Sequence, residues 1–198
     1  MYSLVAGACL ATLLLCACIE LERSVEVTPQ PLPTQVQGAS WPETPVSYCI
    51  VRDDEGGYVS HDTFVALTRE AMEAWQLPTT FEGDCPGPIT SGNGINEIGW
   101  GDLPGEPATL TEAGQTNTRY QSRPGGGAPD IIEADITIER QPASGKDTED
   151  CLYTTLLHEA GHLFGVPHLA MSNVMGPVTT ECLQELTPAD REALEELY

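Results

Sequence analysis

Basic residues are scarce in this 198-residue chain, with eight Lys and Arg against thirty Asp and Glu and a formal net charge of −22 at pH 7. A surface so short of cations has little with which to neutralise phosphates or an anionic bilayer, which argues against nucleic acid and acidic membrane surfaces as partners. The imbalance indicates a solvated surface and mildly favours cationic substrates. The first 18 residues, MYSLVAGACLATLLLCAC, contribute no charge, so the acidic excess belongs to the rest. No internal repeat is present and nothing marks a second domain. Histidine is scarce too, and three of the four lie in one stretch, HEAGHLFGVPH, residues 158–168.

If residues 158–164 are helical, His158 and His162 stand one turn apart on one face and can grip one metal ion. Glu159 is rotated about 100° from His158, beside the metal rather than on it, where a general base belongs. Gly165 can take the left-handed conformation that ends a helix, and Pro167 prevents its resumption. His168 is then free to return as a third ligand. Three neutral nitrogens leave one position for water, which is the pattern of a catalytic zinc site rather than a closed structural one. Chance assembly of five such fixed residues has odds on the order of 1 in 10,000 at average residue usage.

The five residues His158, Glu159, His162, Gly165 and His168 resemble the metzincin metallopeptidase signature H-E-x-x-H-x-x-G-x-x-H. Metzincins also carry a methionine turn beneath the metal, and Met175, followed by Gly176-Pro177, is expected to supply it in preference to Met171. The resemblance implies hydrolysis of peptide bonds by zinc-activated water, with Glu159 as catalytic base and His158, His162 and His168 as ligands. It implies a protein or peptide substrate in extended conformation. Matrixins usually have Ser after the third histidine, and Leu169 stands here. Asp135 is similar to acidic positions in the family's metal-binding loops, but the ligands near it are too few to claim calcium.

Residues 1–18 are long enough for a secretory signal, although no Lys or Arg precedes the apolar core. The run Leu15-Cys16-Ala17-Cys18 is similar to a bacterial lipobox, which implies lipidation at Cys18. Ile19 in place of Asp favours the outer membrane or cell surface, with secretion as the alternative. Residues 19–45 are rich in Pro, Gln, Thr and Val and read as a tether. No cysteine-switch sequence of the matrixin type occurs in them. Residues 46–198 have the length of one domain, expected to be monomeric and joined to a membrane through lipid only.

Four cysteines remain in the exported part: Cys49, Cys85, Cys151 and Cys182. Three disulfide connectivities are open, and Cys49 with Cys85 and Cys151 with Cys182 is the expected one. The competing reading makes one of them a zinc ligand.

Strands are predicted at 46–52, 79–82, 95–100 and 131–139, with short ones at 108–111 and 116–121. Helices are predicted from Ser60 or Asp62 to about Gln76, from Glu149 or Asp150 through Phe164, and after Thr187-Pro188, with Asp190 at N3. His61 is expected at a surface or in a cap. The order is similar to a metzincin catalytic domain, an α+β fold with a twisted mixed sheet, zinc helix, Met-turn and C-terminal helix. In that fold an edge strand flanks the cleft, and residues 108–111 are the candidate. Two other functions fit the same residues: a non-catalytic binding lipoprotein that keeps the zinc fold, and a zinc hydrolase of a non-peptide substrate.

Overall fold

Val46, Tyr48 and Ile50 alternate with polar Ser47 along the first strand, and all three are buried while Ser47 is exposed. This period of two sets the orientation of β1 (Val46–Ile50) in the computed structural model, which describes residues 38–54, 56–104, 113–126, 128–177 and 181–198. The 1–18 segment, Cys18, most of the tether and the candidate strand at 108–111 lie outside the described residues.

The other strands are β2 (Thr79–Asp84), β3 (Glu97–Gly101), β4 (Gly114–Gln121) and β5 (Asp130–Glu139). The helices are α1 (His61–Ala74), α2 (Glu149–Leu163) and α3 (Pro188–Glu195). The sheet runs β2-β1-β3-β5-β4, with β4 antiparallel to β5 and every other pairing parallel. A mixed five-stranded sheet with helices is compatible with the α+β class expected from sequence.

Helix α1 starts where Ser60 accepts the Thr63 amide and buries Phe64, Ala71 and Met72. His61 is buried rather than at a surface, and its Nε2 lies 3.0 Å from Asp84 Oδ1, tying the helix start to the end of β2. Leu152, Leu156 and Leu157 of α2 share one core with Ile98 of β3 and with Ala134, Ile136 and Ile138 of β5. Trp75 joins the two helices by donating to the Leu157 carbonyl at 2.9 Å. The packed chain reaches back into the segment expected as tether. Ala39 is fully buried, Ser40 accepts the Ile131 amide at 2.9 Å, and Trp41 Nε1 donates to the Leu163 carbonyl at 2.8 Å.

Alternation in β5 hides a second buried face. Glu133, Asp135 and Glu139, with Glu97 of β3, are all nearly inaccessible. Glu97 accepts the Thr90 amide, Glu133 those of Gly92 and Gly94, and Glu139 those of Leu103 and Gln141. These charge-assisted bonds anchor irregular chain to the sheet, so its polar face is covered rather than wet. Ile132 is the exception among the expected apolar positions, at 39% exposure.

Both expected disulfides form, Cys49–Cys85 and Cys151–Cys182. Two such bonds indicate folding in an oxidising compartment. They also leave no thiolate on these four residues to ligate zinc. Among the described residues no helix is long and apolar enough to cross a membrane.

Candidate metal centre

Helix α2 opens where Thr148 accepts the Cys151 amide and closes on a glycine. Gly165 has φ +91°, its amide bonds to the His162 carbonyl, and the Val166 amide bonds to that of Gly161. This is the Schellman arrangement, which a residue with a side chain enters only with strain. A Cβ at 165 would stand 2.2 Å from the Ala39 carbonyl oxygen, so the exit needs glycine twice over. Beyond it the chain folds back as the sequence predicts.

The turn brings His168 to the pair on α2. One ligating atom from each of His158, His162 and His168 lies within 4.8 Å of the others, and His162 Nε2 is 3.1 Å from His168 Nε2. Nitrogens bound to one zinc at 2.0–2.1 Å in a tetrahedron stand about 3.3 Å apart, so the donor set fits such an ion. The orientation of two rings is fixed from behind. His158 Nδ1 donates to the Val174 carbonyl at 2.6 Å and His162 Nδ1 to that of Val166 at 2.8 Å, which leaves Nε2 of each as the ligating nitrogen. Burial, with the neighbouring His158 and His168, pushes the His162 pKa down to about 3. That ring therefore stays neutral and keeps a lone pair for a metal at any ordinary pH.

Glu159 is 5% exposed and sits against the end strand of the sheet. The Thr116 hydroxyl of β4 lies 2.7 Å from Glu159 Oε2 and 3.1 Å from its main-chain oxygen. Close approach of β4 depends on Gly114, where a Cβ would stand 2.7 Å from Glu159 Cγ and 2.9 Å from the Thr155 methyl. Sequence reasoning did not find Thr116 or Gly114, because nothing local marks a residue that works by touching a distant helix. Of the described strands, β4 is the edge strand beside α2.

Met175 is fully buried while Met171 is 58% exposed. A Cβ on Gly161, between the two helical histidines, would stand 2.3 Å from Met175 sulfur and 2.5 Å from the Trp75 ring, so Met175 lies directly beneath that turn of α2. The methionine loop is in turn held by α3. Thr187 caps α3 and Asp190 stands at N3 as expected, and the two close a capping box, but Asp190, fully buried, also accepts the amides of Val174 and Met175 at 3.1 and 3.0 Å. One carboxylate thus caps a helix and seats the carbonyl that orients His158. Spacing alone marks only its helix role.

A second cluster of the right residue types, Cys49, Cys85 and Glu97, has both sulfurs joined in a disulfide and is no metal site. No protein-family model matches the chain, and a search of curated proteins returns no match.

Proposed function

We propose that this chain is a zinc-dependent endopeptidase of the metzincin type, a reading carried by one observation: three oriented imidazoles converge beside a buried glutamate. His158, His162 and His168 would hold the ion. A bound zinc lowers the pKa of a coordinated water to about 7 and polarises a carbonyl oxygen. Glu159 accepts the water's proton and delivers it to the leaving nitrogen. Thr116 fixes one oxygen of that carboxylate, so the base does not have to find its position during turnover. Met175 packs under the centre and touches no substrate.

The substrate is an extended polypeptide laid along the outer edge of β4, the end strand among the described ones, where its main chain adds a strand to the sheet. The enzyme is exported, held at the outer membrane or cell surface by lipid on Cys18, and acts as a monomer. In a casein or gelatin assay Glu159→Ala abolishes hydrolysis while zinc content stays near one per chain; His168→Ala loses the zinc as well. Turnover retained by Glu159→Ala would overturn the assignment of the base.

A further inference from the structure

A cavity of about 590 Å³ lies where β1 meets β2, residues 94–96 and Ile132, and no residue of α2 or of the histidine loop contributes to its wall. Its lining has two chemistries. Trp41, Ile95 and Ile132 supply apolar surface, and the two isoleucines are 38% and 39% exposed, among the few large aliphatic side chains left so open in the described residues. Glu43, Glu82 and Asp84 supply carboxylates, and among the described residues no Lys or Arg lines the space. Asp84 shares its charge with Arg52 and His61, and Glu82 accepts the Ser47 hydroxyl, so Glu43 and Glu82 dominate the net charge.

The volume lies in the range of ligand pockets. Carboxylates at its wall disfavour fatty acids and other anions, and the exposed isoleucines favour something more than a hydrated cation. A Lys or Arg side chain combines both requirements, with a hydrocarbon stem to cover aliphatic surface and a cationic head for the acids. The cavity also borders β2, the sheet's end strand opposite β4, which offers an extended chain a place to lie.

We infer that this cavity docks a stretch of partner polypeptide in which Lys or Arg alternates with aliphatic residues. Binding here is separate from the histidine centre and does not depend on hydrolysis there.

The test uses the full chain carrying Glu159→Ala, so that no peptide is consumed, and fluorescence anisotropy of labelled octapeptides at physiological ionic strength. A Lys–Leu alternating peptide binds, its Glu–Leu counterpart does not, and a Lys–Ser counterpart binds about tenfold more weakly. Glu82→Lys and Ile132→Asp, both at exposed positions, each weaken Lys–Leu binding about tenfold or more. Glu192→Lys makes the same charge change on the exposed face of α3 and shifts affinity less than about threefold, which separates docking from general attraction to an acidic protein. His168→Ala leaves affinity unchanged. Equal losses from Glu82→Lys and Glu192→Lys, no loss from Ile132→Asp, or spermine displacing the peptide as well as unlabelled peptide does would each overturn the inference. Loss of binding in His168→Ala alone would place the peptide in the histidine cleft and leave the peptidase reading intact. An inactive wild-type chain that still docks the peptide would refute only the peptidase.

Discussion

Asp135 offers a quantitative test of the covered acidic face. Its Oδ1 accepts the Glu97 amide at 3.1 Å, and its Oδ2 is buried beside Glu133. Burial, reinforced by the neighbouring Glu133 and Glu97 charges and opposed by that amide, pushes its pKa up from 3.8 to about 6. A folded-state value above the unfolded one means that the native state holds the proton more tightly. Its contribution to stability is therefore full below pH 3.8 and is lost as pH rises through about 6. The corresponding free energy is on the order of 1 to 3 kcal/mol. Asp135→Asn removes the ionisation and keeps the shape. Urea unfolding from pH 4 to 8 should show wild type losing up to about 3 kcal/mol across this window relative to the variant, which becomes the more stable protein at pH 8. Glu133 works in the opposite sense, since the Gly92 and Gly94 amides and Arg119 outweigh its burial and hold it below 4.5. Its contribution is present above pH 4.5 and is lost as pH falls below that, so the part of the profile above pH 4.5 reports chiefly on Asp135. Parallel pH profiles for the two would refute the reasoning.

Asp190→Ala strands the Val174 and Met175 amides and is expected to cost about 3 kcal/mol in urea unfolding and tenfold or more in zinc affinity by competition titration; unchanged affinity would sever the link from α3 to His158. Thr116→Val should lower kcat about tenfold at constant KM and zinc content, the value of one hydrogen bond, with Thr116→Ser restoring it; a rise in KM instead would assign Thr116 to substrate binding. Replacing Cys151 and Cys182 together by Ser opens a loop of sequence separation 31 and should cost about 3 to 4 kcal/mol by equilibrium unfolding; a loss well under 1 kcal/mol would indicate a denatured state already compact around this loop.

Local rules carried much of the fold. The caps at Ser60 and Thr187, the glycine exit at Gly165 and the alternation of Ala134, Ile136 and Ile138 are decided by neighbours a few residues away, and each expected element within the described residues is found near its place. The convergence of His158, His162 and His168 was legible for the same reason, since a helix turn and one reversal bring all three together. What escaped depends on distant chain. Nothing local marks Glu133 as buried, because the Gly92 and Gly94 amides that cover it lie about forty residues earlier in the chain. Ala39 to Trp41 read as tether because their partners, Ile131, Leu163 and Gly165, lie more than ninety residues onward. Thr116 carries no signal at all until β4 is seen against α2.

The role of Asp190 also bears on when the protein can act. Polypeptides are made from the amino end, so all three imidazoles leave the ribosome before the carboxylate that seats the loop behind one of them. Until synthesis has passed residue 190, a growing chain carries its histidines without that brace. Order of synthesis thus makes the backing of His158 the last part of the centre to be completed.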